Sequence, residues 1–299
     1  MRIGMVGLGR MGANMTKRLL RAGHEVVAYA RSAESVAVAV ANGATGVRSL
    51  EELVDQLEPR RVVWLMIPAG DPTEKTIESL AGSLAPGDVI VDGGNSRYVD
   101  SIRRAETLAT KEIALVDSGT SGGIWGLDNG YCLMVGGEKD AVEHLRPVFE
   151  ALAPEGGFAH VGPSGAGHFT KMVHNGIEYA LMQAYGEGFE LLDSSDLDLD
   201  VAQISELWNH GSVVRSWLLE LAARALAGDP DLSKVAPYIE DSGEGRWTLA
   251  YAIDNAVPVP TIATALFARF ASRQDASFAG RVIAALRKEF GGHETRKPS

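Results

Sequence analysis

RIGMVGLGRMG (2–12) decides how this chain is read. Its first half is near-continuously apolar, as a strand buried on both faces of a sheet would be. The run passes straight into Gly7, Gly9 and Gly12, a G-x-G-x-x-G turn that opens a helix near Met11. Each glycine has a reason: a tight bend, close approach of backbone to a pyrophosphate, and close helix–strand packing. The anion would rest on the free N–H groups of the helix N-terminus. Gly7, Leu8, Gly9, Arg10, Met11 and Gly12 are the candidate cofactor loop, and a dinucleotide is the expected ligand.

Outward from this turn the pattern repeats. HEVVAYA (24–30), RRVVWLMI (60–67), DVIVDGG (88–94), IALVDSG (113–119), YCLMVGG (131–137) and FAHVG (158–162) read as strands. Helical stretches such as GANMTKRLLRAG and SLEELVDQLE separate the earlier ones. The alternation predicts an α/β, Rossmann-type doubly wound sheet with parallel strands. After Pro163 only helix-period patterns remain, among them VAQISELWNHGSVVRSWLLELAARALAG and TIATALFARFASR. The expected division is a Rossmann-like nucleotide-binding domain over 1–163 and an all-α domain over 164–299. HVGPSGAG, at the boundary, has the Gly, Pro and Ser that suit a junction. The final HETRKPS reads as a frayed tail.

The end of the second strand bears on which dinucleotide binds. An NAD enzyme usually places Asp or Glu there for the ribose 2′-hydroxyl. Here VAYARSAES puts Ala30, Arg31 and Ser32 at that point. Arg31 can pair bidentately with a 2′-phosphate, and Ser32 can donate to it. NADP is the expected cofactor and NAD the weaker alternative; the plain structural reading is a surface arginine opening a helix.

Composition narrows the rest. A formal charge of −11 argues against nucleic acid, which needs a basic face. One cysteine, Cys132, leaves no disulfide framework or multi-cysteine metal site. No apolar run approaches the roughly 20 residues of a membrane span, and the strand at Arg2 leaves no signal peptide before it. The expected location is cytoplasmic, with no membrane or nucleic-acid partner and no metal.

KMVHNGIEY (171–179) sets polar groups into an apolar helix. His168, Lys171, Asn175 and Glu178 recur at helical spacing on one face, and Phe169, Met172, Val173, Ile177 and Leu181 form an apolar stripe on another. An amine, an amide and a carboxylic acid would then project toward one volume.

GAGHFTKMVHNGIEY (165–179) resembles the signature of the decarboxylating 6-phosphogluconate dehydrogenases. The resemblance runs nearly the whole chain. GLGRMGANM is similar to the family's cofactor loop and DGGNS (92–96) to its loop between nicotinamide and substrate. SGTSGG (118–123) resembles its substrate turn, and FARFAS (267–272) its substrate-arginine helix. The chain looks like the short-form branch of the β-hydroxyacid dehydrogenase superfamily, yet RKEFGGH (287–293) resembles the tail motif of the longer members.

The resemblance implies oxidative decarboxylation of 6-phospho-D-gluconate to D-ribulose 5-phosphate and CO2, a step of the pentose phosphate pathway and of gluconate utilisation. It implies Lys171 as base, its pKa lowered for the task, and Glu178 as the acid that protonates the enediol. Asn175 and His174 would hold hydroxyls near the reacting carbons. Asn95, which also faces the cofactor, would hold the carboxylate end with Ser121, Gly122 and Gly123. Tyr179 and Arg269 would take the phosphate, with Arg287 and His293 from a neighbouring subunit, so that the all-α domain also serves dimerisation in a homodimer or homotetramer.

One loop departs from the family. Where larger members carry lysine and threonine in K-G-T-G-K-W-T, DSGEGRWT (241–248) carries Ser242 and Glu244. A glutamate beside a phosphate is repulsive, so the loop is expected either to sit farther off or to have Arg246 offset the charge. Two other readings remain: a non-decarboxylating β-hydroxyacid dehydrogenase such as 3-hydroxyisobutyrate dehydrogenase, and a non-catalytic NADP-binding protein. Simple hydride transfer has no use for Glu178, which discriminates the first.

Overall fold

The computed structural model describes residues 1–296; Lys297, Pro298 and Ser299, in the tail read as frayed, lie outside the described residues. Two compact units divide between Asn175 and Gly176.

The first unit holds an eight-stranded sheet. Its strands are β1 (Arg2–Val6), β2 (Glu25–Tyr29), β3 (Thr45–Gly46), β4 (Val62–Leu65), β5 (Val89–Asp92), β6 (Ala114–Ser121), β7 (Cys132–Gly136) and β8 (Phe158–Gly162). They lie in the order β3-β2-β1-β4-β5-β6-β7-β8. Between them run α1 (Arg10–Arg21), α2 (Ala33–Ala41), α3 (Leu50–Asp55), α4 (Asp71–Ser83), α5 (Tyr98–Ala109), α6 (Gly126–Asn129) and α7 (Lys139–Leu152).

The period-two alternation of the strands builds two cores, one on each face of the sheet. Ile3, Met5, Val62, Trp64, Val89 and Val91 pack with Met15 and Leu19 of α1 and Leu145 and Phe149 of α7. Their sequence neighbours Val63, Leu65 and Ile90 pack instead with Leu53 of α3, Leu80 of α4 and Leu108 of α5. This two-sided burial is why the strands read as continuous apolar runs.

The expected parallel sheet holds from β3 to β6, and then the direction changes. β7 pairs antiparallel with β6, and β8 runs parallel to β7. Residues 122–131 join β6 to β7, fewer than the dozen or more that a parallel crossover needs. The short β3 went unread because two residues carry no period.

The second unit is helical among its described residues. α8 (Ala166–Asp193) starts in the first unit and continues into the second, followed by α9 (Val201–Leu207), α10 (Trp217–Gly228), α11 (Glu244–Asp254), α12 (Pro260–Ala271) and α13 (Phe278–Gly291). The long pattern over 201–228 is two helices. Ser216 caps the second by accepting from the Leu219 N–H. The apolar stripe expected on α8 is divided: Met172 is buried, whereas Ile177 and Leu181 are exposed. α13 buries no residue and exposes Phe278, Val282, Ile283, Leu286 and Phe290. Among the described residues no helix is long and apolar enough to cross a membrane.

Candidate active site

The strand order reverses beside β1, which is flanked by β2 and β4, and open α/β sheets bind ligands outside the strand ends at such a point. A cavity of about 490 Å³ lies there, lined among others by Gly7, Gly9, Arg31, Ser32, Pro68 and Thr76. Gly7 has φ +96°, and a Cβ on it would strike the Met66 carbonyl oxygen. A Cβ on Gly12 would strike the Gly7 carbonyl oxygen. Gly9 differs, because a Cβ there would meet nothing within 4 Å. Two of the glycines thus serve the fold, and the third keeps the approach to the cavity open. Gly9 is the N-cap of α1 and supplies no side-chain cap, so the first-turn N–H groups remain for an anion. Leu8 is buried, Met11 half-buried and Arg10 exposed.

The cavity has the shape and donors for a dinucleotide. Among its lining residues there is no carboxylate, and Arg31 there is exposed. Ser32 is the N-cap of α2, its Oγ accepting from the Ser35 N–H at 3.2 Å. That leaves its own hydroxyl proton to donate.

The second cluster surrounds the part of α8 that belongs to the first unit. Lys171 is 5% exposed, and its Nζ donates to Asn175 Oδ1 at 2.6 Å. His174 Nδ1 lies 3.5 Å from that Nζ and 3.1 Å from Asn175 Oδ1. The other ring nitrogen, Nε2, lies 3.5 Å from Ser121 Oγ at the end of β6. Asn95 Oδ1 accepts from the Thr120 N–H at 3.0 Å, beside Ser121. Asn95 has φ +52°, a left-handed conformation that asparagine tolerates better than most residues. Gly122 and Gly123 follow, both at positive φ, as the turn out of β6.

His168 does not join this cluster, contrary to the stripe expected from spacing. It is buried, and its Nδ1 pairs with Ser101 Oγ at 2.7 Å. The cause is Asp117, which is fully buried on β6. Its carboxylate accepts from the Gly165 and His168 N–H groups at 2.6 and 2.8 Å, pinning the start of α8 against the sheet. Gly119 permits the close crossing, since a Cβ there would lie 2.5 Å from Lys171 Cβ. Neither Asp117 nor Gly119 was expected as a positioning residue; the one available signal was a charged residue inside an apolar strand.

The third cluster belongs to the second unit. Glu178, half-buried, stands one turn past Asn175 on α8. Tyr179 is buried, with the Arg269 guanidinium 3.6 Å over its ring. The Tyr179 hydroxyl accepts from the Ser242 N–H at 3.1 Å and lies 3.2 Å from Ser242 Oγ. Ser242 Oγ donates to Glu244 Oε2 at 2.6 Å, and Glu244 is 6% exposed. The departing loop is therefore held at Tyr179, not set apart from it. Arg246 directs Nε and Nη2 at Asp241 at 2.8 and 3.0 Å, and Arg273 reaches the same carboxylate at 2.9 Å. Arg246 was the alternative expected to offset Glu244; its fork is engaged bidentately by the Asp241 carboxylate. The hydrogen bond from Arg246, then that from Arg273, holds the Asp241 carboxyl down to about 2. Arg287 on α13 and His293 beyond it are exposed.

The family model of the NAD binding domain of 6-phosphogluconate dehydrogenase matches residues 2–162, and that of the 6-phosphogluconate dehydrogenase C-terminal domain matches 167–296. The chain belongs to the 6-phosphogluconate dehydrogenase family. A 6-phosphogluconate dehydrogenase of Haloferax volcanii, described as NAD(+)-dependent and decarboxylating, is 48% identical, covering 99% of each chain. The Plasmodium falciparum 6-phosphogluconate dehydrogenase, solved apo and with NADP+ and 6-phosphogluconate, superposes with a TM-score of 0.84 at 30% identity. That match covers 97% of this chain, which spans 65% of the Plasmodium one. A 3-hydroxyisobutyrate dehydrogenase of Mycobacterium tuberculosis has a TM-score of 0.74 at 24% identity, covering 96% of this chain and 99% of its own, a likeness of fold.

Proposed function

We propose that this member of the 6-phosphogluconate dehydrogenase family oxidises and decarboxylates 6-phospho-D-gluconate to D-ribulose 5-phosphate and CO2, within the pentose phosphate pathway. The observation that carries the reading is the buried Lys171–Asn175 pair, with His174 beside it and Glu178 one turn further along α8. A buried amine held in one direction by an amide, beside an imidazole, suits a general base, which must be placed within hydrogen-bond reach of the proton it takes.

Lys171, as the neutral amine, takes the proton of the substrate 3-hydroxyl. The nicotinamide supplies the acceptor for the hydride that leaves C3. The C1–C2 bond of the resulting 3-keto acid then breaks, its electron pair flowing toward the C3 carbonyl as CO2 departs. Lys171, now protonated, returns its proton to the enolate oxygen, and Asn175 keeps the side chain in line throughout. Glu178 protonates the former C2, which becomes C1 of the product, while Lys171, neutral again, takes the enol hydroxyl proton so that the ketone forms.

Asn95, Ser121, Gly122 and Gly123 would hold the carboxylate end, and His174 and Asn175 the hydroxyls near the reacting carbons. Tyr179 and Arg269 would face the phosphate. Arg287 and His293 would come from a second copy, whose α13 would bury the exposed Phe278, Val282, Ile283, Leu286 and Phe290; this makes the working unit a dimer or a tetramer. NADP is favoured by Arg31 and Ser32 at the adenosine end. The name of the Haloferax relative favours NAD as a second reading.

The test is release of CO2 together with NAD(P)H from 6-phosphogluconate. Reduced cofactor without CO2 would move the chain to the non-decarboxylating β-hydroxyacid dehydrogenases. Neither product, with dinucleotide still bound, would make it a non-catalytic NADP-binding protein.

A further inference from the structure

We infer that Arg104 is a positioning residue that joins the wall of the dinucleotide cavity to the substrate-side loop 93–96. The proposal rests on the function proposed above for its effect on turnover, but not for the linkage itself.

Arg104 lies on α5, is 3% exposed, and touches three separate segments. Its Nε donates to Glu74 Oε2 on α4 at 2.7 Å. Its Nη2 donates to the Gly70 carbonyl oxygen at 3.4 Å. Its Nη1 donates to Asp92 Oδ2 at 3.3 Å, and Asp92 is fully buried at the end of β5. Gly70 and Glu74 belong to the stretch that supplies Ile67, Pro68, Pro72 and Thr76 to the cavity.

The Asp92 carboxylate in turn organises the loop that carries Asn95. Oδ1 accepts from the Gly94 N–H at 3.1 Å, and Oδ2 accepts from Ser96 Oγ at 2.7 Å. Both bonds brace the turn in which Asn95 takes its positive φ and meets the backbone of Thr120. A segment that shifts when the adenosine half binds therefore pulls, through one rigid guanidinium, on the anchor of the loop. Lysine has the charge but a single donor centre, so it cannot span all three anchors. Glu74 is also held by Arg103 through two hydrogen bonds of 2.7 Å, so that end of the link is fixed independently.

Hydrogen exchange with ADP as probe tests the link without turnover, because ADP has no nicotinamide to touch the loop. In wild type, ADP should slow exchange in both 7–13 and 92–97. In Arg104→Lys, and in the milder Glu74→Gln, protection of 7–13 should persist while that of 92–97 falls at least about threefold. With 6-phosphogluconate, kcat should fall about tenfold or more while the ADP Kd stays within about threefold, as a displaced reacting group predicts. Protection of 92–97 that survives in both variants, or is absent in wild type, overturns the proposal. Loss of protection at 7–13 in both variants also overturns it, since Arg104 would then only support the nucleotide fold. Wild-type turnover separately decides the function on which the kcat arm depends.

Discussion

Lys171 Nζ donates to Asn175 Oδ1 at 2.6 Å, one turn along a single helix. The contact fixes the direction of a buried amine, as a group that must meet a substrate proton requires. Lys171→Met should lower kcat by about 10³-fold or more, and Asn175→Ala by less. Because the two act as one unit, the double variant should be no slower than Lys171→Met within about threefold. Steady-state kinetics check both statements, and near-normal turnover by Lys171→Met would remove the assigned base.

Ser242 and Glu244 make a second prediction. Glu244 sits buried at the Tyr179 corner, and Arg246 and Arg273 are engaged by Asp241. Arg269 places its guanidinium 3.6 Å over the Tyr179 ring. Glu244→Thr should lower KM for 6-phosphogluconate about tenfold, roughly 1.4 kcal/mol, by removing one repulsive charge. Unphosphorylated gluconate, assayed alongside, should not improve. Equal gains for both substrates would place Glu244 away from the phosphate.

At the adenosine end, Arg31→Asp should turn a preference for NADP into one for NAD. The new carboxylate repels a 2′-phosphate and accepts from a 2′-hydroxyl. The ratio of kcat/KM for the two cofactors, in wild type and variant, reads this directly. A ratio that does not move would mean Arg31 makes no contact with the 2′-position.

Asp241 sets an acid limit on the second unit. Its pKa is lowered to about 2, so the stabilisation is complete above the unfolded value near 3.8 and is lost as pH falls through the folded one. The size is at most about 2.4 kcal/mol. Asp241→Asn should therefore lower Tm at pH 7, and its difference from wild type should shrink between about pH 4 and pH 2. Thermal scans at pH 7, 4 and 2.5 measure this. A constant difference across that window would assign the loss to packing.

Subunit mixing tests the shared site. Lys171→Met and Arg287→Ala should each be nearly inactive alone. Co-refolded in equal amounts, they should regain about a quarter of wild-type activity, because half of the chains enter mixed dimers with one intact site. Absence of any recovery, with mixed dimers present by mass spectrometry, would remove Arg287 from the neighbour's site.

Much of this architecture was legible along the chain. The buried strands β1, β4 and β5 announce themselves as unbroken apolar runs because both of their faces are covered. The G-x-G-x-x-G turn is legible because only glycine fits where Gly7 and Gly12 meet backbone oxygens. The reversed β7 was not read, since strand direction follows from the length of the connection and not from the strand's composition. Nor was the departure of His168 from the polar stripe, because periodicity places a residue on a helix face but does not say what packs there.

The local rules by themselves determined which segments become strands and helices, where the nucleotide turn lies, and that Lys171, Asn175 and Glu178 share one helix. Tertiary structure decided which charges meet: that Arg246 and Arg273 converge on Asp241, that Glu244 is buried against Ser242, and that Arg104 bridges Glu74, Gly70 and Asp92. The division has a physical cause. Dihedral preference and side-chain period act within a few residues, whereas a buried charge takes its partner from whichever segment the packed core brings alongside.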